Sequence, residues 1–323
     1  MKTTFNLTFC QDELHRYAHR EDFLSVLEQG FDGIELTYYE EDSRSIVPVD
    51  KIIGLHMSYF PSWLDFWRGD KAALIAEYGS LEECYRQFGG CDREALLQRF
   101  RKDLQNAKRF GVEYVVFHVS DAHIAETFTL NYAHRDEEVI DGACQIINAL
   151  TEELDGSIAF LMENLWQPGL RFTRTEMTRR LLDGVNYPNK GIMLDTGHLL
   201  HCNTQLRSQE EALDYIHAML DAHGELCKAV RGVHLHQSLT GDYCETVRKN
   251  PPVMKESYAQ RLGQMFEHAF AVDRHLPFTC EGVDQLIQRI QPEYLTFEFI
   301  TESRAQHDDF LRRQQKALEK LKK

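Results

Sequence analysis

Seven acidic or imidazole side chains stand at the ends of seven short apolar runs, in the order Glu35, His56, His118, Glu163, Asp195, His234 and Glu298. With an eighth run at the amino terminus, the segments are 3–9, 33–37, 52–56, 114–119, 158–163, 191–195, 232–236 and 295–299. They are brief, rich in Val, Ile, Leu and Phe, and apolar on both faces, as strands covered by helices must be. Helical periodicity fills most of the intervals, over 12–29, 93–110, 136–154, 173–183, 210–229, 283–290 and 304–321. Asp12 or a neighbouring polar residue stands where the first helix needs a cap, and Gly30, Gly111 and Gly184 follow where helices should stop. Alternating strands and helices, with a donor at the carboxyl end of strand after strand, predict an α/β chain closed as a parallel (β/α)8 barrel. The donors then line its mouth.

Side chains two apart share a strand face. His236 should therefore point inward with His234, Met193 with Asp195 and Leu161 with Glu163, while Val233 and Leu235 pack on the helices. Two connections are too long for loops: 57–92 after the third strand and 237–280 after the seventh, the latter with a helix near 258–270. Both should leave from the mouth as insertions on a single domain spanning 1–323. Trp63 and Trp67, four apart in the first insertion, read either as pocket lining or as a helical stripe packed on the barrel.

Charge and composition narrow the chemistry. A formal charge of −15 argues against a polyanion-binding surface, although bound cations can reverse the sign locally. Eight scattered cysteines with no C-x-x-C pair, no secretory h-region and no run of ~18 apolar residues suggest a cytoplasmic chain with reduced thiols and no membrane span. No Gly-rich nucleotide loop, Ser-His-Asp order or cofactor lysine motif stands out, which disfavours nicotinamide, ATP and pyridoxal chemistry. Carboxylates converging at a barrel mouth repel one another unless a cation lies among them, and mixed imidazole and carboxylate donors suit zinc, manganese, cobalt or iron.

The segments GIEL (33–36), GLHMSY (54–59), VFHVS (116–120), MENLWQPG (162–169), LDTGH (194–198), RGVHLHQS (231–238), DRHLPF (273–278) and TFEF (296–299) carry a resemblance. In this order and at barrel spacing they resemble the xylose isomerase-like TIM-barrel superfamily, which includes sugar isomerases, sugar epimerases and endonuclease IV. For the epimerases the resemblance implies one divalent ion, often manganese or cobalt, held by Glu163, Asp195, His234 and Glu298. For endonuclease IV it implies three zinc ions and nine ligands, adding His56, His118, His198, Asp273 and His275, with Glu163 as the bridging carboxylate. The long interval between His234 and Asp273 leaves open whether Asp273 and His275 complete a third site or ride on a lid.

Two reactions follow from one donor set. The first is isomerisation or epimerisation of a sugar or sugar phosphate through an enediolate, with Glu163 and Glu298 passing a carbon-bound proton and His198 holding a substrate oxygen. The second is phosphoester hydrolysis as in endonuclease IV on abasic DNA, where Tyr59 matches the offset of an aromatic that enters the nucleic acid. The acidic charge places the first ahead. A barrel that only binds a partner or small molecule is the third reading. The expected substrate pocket is Glu35, Tyr59, Trp63, Trp166 and His236, and the expected partner a small carbohydrate, with nucleic acid disfavoured. Relatives often form dimers or tetramers, so a homo-oligomer is expected. His201, one turn after His198, is a candidate support residue, and His123 and His134 read as loop residues.

Overall fold

The computed structural model describes residues 1–322. Eight strands form the barrel: β1 (Lys2–Phe9), β2 (Gly33–Tyr38), β3 (Ile52–His56), β4 (Tyr114–His118), β5 (Ala159–Glu163), β6 (Lys190–Asp195), β7 (Val230–Leu235) and β8 (Tyr294–Phe297). Each pairs in parallel with its sequence neighbour, and β8 returns to β1, so no edge is left open. Strand registers set the donors' heights. His118 lies opposite Glu163 and Asp195 opposite His234, which brings each pair side by side at the carboxyl ends.

The alternation separates two apolar layers. Ile53, Tyr114, Val116, Ala159, Leu161, Met193 and Tyr294 fill the barrel interior below the donors. Val233, Leu235, Phe117 and Leu194 join the larger core between strands and helices. The interior is filled by wide side chains meeting glycines. A Cβ on Gly54 would fall 2.2 Å from the Tyr114 ring, and one on Gly232 would fall 2.6 Å from Met193. Gly54→Ala is therefore expected to destabilise the fold by about 2–3 kcal/mol, the range for overpacking a closed core, as read by urea unfolding.

The helices Arg93–Phe110 and Val283–Ile290 match their expected bounds. The expected helix over 12–29 is instead two, Gln11–Leu14 and Arg20–Leu27; the first has no side-chain cap, with Asp12 inside its first turn, and the second is capped by the His19 ring. The break has a cause. The Arg44 guanidinium donates to the carbonyls of Leu14, Tyr17 and Ala18, which a continuing helix would need for itself. The 57–92 segment forms three short helices, Leu64–Arg68, Lys71–Tyr78 and Leu81–Phe88, each stopped by a left-handed glycine at Gly69, Gly79 and Gly89. The 237–280 segment carries Gly241–Lys249 and Tyr258–Val272, then returns to the barrel through an antiparallel bridge between Gln237 and Leu276. No described helix is long and apolar enough to cross a membrane.

One buried acid links helix and barrel. Asp103 accepts hydrogen bonds from the Ser58 amide (2.9 Å) and hydroxyl (3.2 Å), and burial pushes its carboxyl up to about 6. The folded state then holds that proton more tightly than the unfolded chain, so stability falls as pH rises from about 4 to about 6. Asp103→Asn is expected to gain on the order of 2 kcal/mol at pH 7 and nothing at pH 4, a difference that thermal melts at both pH values would show.

Candidate metal centre

Four donors from four strand ends converge. Nδ1 of His234 lies 3.1 Å from Glu163 Oε1, 3.2 Å from Glu298 Oε2 and 3.6 Å from Asp195 Oδ2. Ligand atoms sharing one ion at bond lengths near 2.0–2.2 Å stand roughly 3–3.6 Å apart, so these separations have the size of a coordination shell. His234 is aimed from behind, because its Nε2 meets the Glu35 carboxylate at 3.0 Å. Glu35 in turn accepts from Tyr114 Oη (2.7 Å) and Thr296 Oγ1 (3.2 Å). Such a carboxylate behind an imidazole fixes its tautomer and strengthens it as a ligand.

Glu163 also faces a second cluster. Its Oε2 lies 3.0 Å from Nε2 of both His56 and His118, while the His56 Nδ1 donates to the Met57 carbonyl at 3.1 Å. One carboxylate thus spans two groups of imidazoles, Oε1 toward His234 and Oε2 toward His56 and His118.

The third group closes as well. Asp273 Oδ2 lies 3.0 Å from His198 Nε2 and 2.8 Å from His275 Nε2, and Asp273 Oδ1 lies 3.2 Å from His201 Nε2. The His198 Nδ1 donates to the Asn164 carbonyl at 2.9 Å, and the His275 Nδ1 to the Glu298 carbonyl at 3.1 Å. The bridge at Gln237 and Leu276 brings the end of the long insertion back to β7. Ser238 Oγ then accepts from the Arg274 and His275 amides and donates to Asp273 Oδ1 at 3.1 Å.

Electrostatics show what the group lacks. Glu163, Asp195, Asp273 and Glu298 are within ion-pair reach of imidazoles alone; among the described residues no Lys or Arg approaches them. Burial pushes the Glu163 carboxyl up, but the neighbouring His118 and His234 charges carry it well below the usual range, and His198 and His236 do the same for Asp195. Burial works against charge on His234 and His198 too, yet the facing carboxylates raise both well above an ordinary histidine. Every carboxylate therefore relies on a proton held by a histidine. The buried His118 Nδ1, His236 Nδ1 and Glu298 Oε2 remain without a hydrogen-bond partner. Divalent cations among these donors satisfy both conditions at once, and the donor set fits zinc, manganese or cobalt.

The expected pocket residues divide. Tyr59 and Trp166 stand with His118, His198, Met265 and Phe266 around a cavity of about 570 Å³ open to solvent, with no Lys or Arg in its lining. Glu35 does not reach that cavity. Its strand runs on to Tyr38, so Glu35 sits a layer lower, level with Gly54, as the support of His234. His236 is not a pocket residue either. It is fully buried, its Nε2 lies 2.8 Å from Asp195 Oδ2, and its ring stacks on His275 at 3.9 Å. Gly197 leaves the space for that ring, since a Cβ there would fall 2.1 Å from it. Trp63 is buried against Gly142 with its indole donating to the Ser120 carbonyl at 2.7 Å, so it anchors the insertion. Asn164 went unnoticed in the sequence. Its side chain pairs with both the amide (2.9 Å) and carbonyl (3.0 Å) of Asp195, and its place beside Glu163 was the available signal.

None of the curated proteins matches the chain in sequence. Among solved structures it is similar to that of AsfvAP:AG, at 11% identity and TM-score 0.52, covering 100% of this chain and 99% of that one. It is similar also to a 3-keto-D-glucoside 4-epimerase from E. coli, at 13% identity and TM-score 0.50, covering 98% and 99%. An L-ribulose 3-epimerase follows at 12% identity and TM-score 0.50, covering 99% and 95%. At such identities the likeness is one of fold. The family model described as xylose isomerase-like TIM barrel matches residues 23–322, and the chain belongs to that family.

Proposed function

We propose that the chain is a divalent-metal isomerase or epimerase of a small carbohydrate. The observation that carries this reading is the meeting of Glu163, Asp195 and Glu298 on Nδ1 of His234, beside a cavity walled by Tyr59 and Trp166 and free of Lys and Arg. A divalent ion bound there supplies Lewis acidity toward a carbonyl and its neighbouring hydroxyl. Glu163 and Glu298 flank that position from different strands. Held below the usual carboxylate range, both start as bases able to take and return a carbon-bound proton. His198 has both ring nitrogens engaged, with Asn164 and with Asp273, so its part is to hold the centre rather than to bind substrate oxygen. The aromatic walls offer flat apolar faces to a sugar ring, and epimerases of similar fold support a carbohydrate substrate. A lining without fixed cations favours a neutral sugar over a phosphorylated one.

Hydrolysis of a small phosphoester is the second reading. One observation favours it: the nine donors fall into three groups joined at Glu163 and at His198, an arrangement suited to clustered ions on an attacking and a leaving oxygen. The chain's charge of −15 sets a nucleic-acid substrate aside.

Purified, metal-loaded protein incubated with ketoses in deuterium oxide separates the two. Deuterium at the carbon beside the carbonyl is expected. Phosphate release from phosphoesters with no exchange into any sugar would overturn the first reading. Trp166→Ala is expected to raise KM about tenfold with kcat within about twofold, the signature of a lost stacking surface in steady-state assays.

A further inference from the structure

Away from the mouth, two histidines from the connection after β4 meet a carboxylate from the first insertion. Asp65, in the helix Leu64–Arg68, presents Oδ2 to His123 Nε2 at 2.8 Å and Oδ1 to His134 Nε2 at 3.1 Å. All three side chains are largely buried. Each histidine is also held from its other side. His134 Nδ1 lies 2.8 Å from Asp121 Oδ2, and His123 Nδ1 lies 3.3 Å from Glu126 Oε1. Those two carboxylates are themselves fixed. Asp121 Oδ1 accepts from the amides of Trp63 (2.6 Å) and Leu64 (2.8 Å), and Glu126 accepts from the amides of His123 (3.0 Å) and Ala133 (2.9 Å).

This geometry sets the ring chemistry. With both Nδ1–H groups directed at Asp121 and Glu126, each neutral ring would turn its Nε2 lone pair onto the Asp65 carboxylate. Two lone pairs against an anion at these distances repel, so positive charge must stand between them, either as a second proton on each ring or as one shared cation. Among the described residues no Lys or Arg lies within ion-pair range of Asp65, Asp121 or Glu126. One divalent ion can meet the need of both rings together. Imidazoles whose far nitrogen is held by a carboxylate are the arrangement that metal-binding histidines adopt.

We propose that Asp65, His123 and His134 form a separate divalent-cation site, sharing no ligand with the barrel mouth, that fastens the 57–92 insertion to the connection after β4. Imidazole nitrogen with carboxylate oxygen selects zinc or cobalt over magnesium or calcium. The three donor atoms lie within 4.8 Å of one another, and a tetrahedral ion holds such atoms roughly 3.3 Å apart, so the contacts of Asp65 with His123 (2.8 Å) and His134 (3.1 Å) open by a few tenths of an ångström while the two imidazole nitrogens stay within that limit or draw together. Water takes the fourth position. The site's role is structural: it joins segments 58 and 69 residues apart. It explains why histidines in a loop should be buried at all.

The test counts ions. Zinc-loaded, dialysed wild-type protein and the variants His134→Ala and His123→Gln are compared by plasma mass spectrometry. Each variant is expected to carry one zinc fewer per chain, with the ions of the mouth retained and near-normal activity at saturating metal. Equal zinc content in variant and wild type would overturn the proposal. Should the variants fail to fold, ring nitrogen spectra of zinc-loaded wild-type protein decide. Unprotonated, metal-shifted Nε2 signals for His123 and His134 are expected, and doubly protonated rings at saturating zinc would show a clamp of two imidazoliums instead.

Discussion

Glu163→Gln is expected to remove bound metal from the barrel mouth and to lower turnover at least a thousandfold, with the far-ultraviolet circular dichroism unchanged. The size follows from position. Glu163 offers Oε1 to the group around His234 and Oε2 to His56 and His118, so one substitution breaks two sites. A neutral amide keeps the shape but loses the charge that balances a cation, and its NH₂ faces imidazole nitrogens that would have bound the ion. Loss of a general base typically costs 10²–10⁴-fold, and loss of the metal adds to that. Mass spectrometry of the purified variant and steady-state kinetics check both halves. A variant that keeps its metal and its rate would show that Glu163 is an ordinary buried acid.

Chelation is expected to have the next largest effect. Any ligand that binds only the folded state stabilises it, by about 2.7 kcal/mol at a hundredfold excess over Kd. Stripping the mouth should therefore lower Tm by about 4 °C for a chain of 323 residues, restored by zinc, manganese or cobalt and not by magnesium. The stripped protein should also acquire a pH dependence. Burial lowers His56 and His275, but Glu163 and Asp273 outweigh it and bring each to about 9. A histidine raised on folding contributes stability that is fully present below its unfolded value near 6.5 and lost as pH climbs through the folded value. The chelated protein is thus expected to melt lower at pH 9.5 than at pH 6, and metal-loaded protein to show a smaller slope because ions replace those protons. Melts across this range, with and without chelator, measure the difference.

Much of the fold was legible because strands and donors leave different marks. A Glu or His ending an apolar run, such as Glu163 or His234, has no packing reason to be there, so chemistry is the simpler explanation. Alternation put Leu161 and Met193 inside the barrel and Val233 and Leu235 outside, where they are found. Depth was harder to read. Glu35 lies within GIEL near the middle of its strand, which continues through Thr37 and Tyr38 and leaves it beneath the donors. His236 shares a face with His234, yet β7 ends at Leu235 and the residues beyond seal the ring against His275. Aromatic content could not tell Trp63, packed under the insertion, from Trp166 at the cavity. Periodicity also missed the break after Leu14, because its cause is an arginine thirty residues away in the chain. The approach of Asp273 to His198 depends likewise on a bridge made after a long insertion, which no local pattern records.

A crystal of the metal-loaded chain, measured on both sides of the zinc absorption edge, bears most directly on the centre. An anomalous peak about 2.0–2.2 Å from Glu163, Asp195, His234 and Glu298 is expected. Ordered side chains at these four positions with no peak between them, at saturating zinc and likewise at the manganese and cobalt edges, would contradict a shared cation.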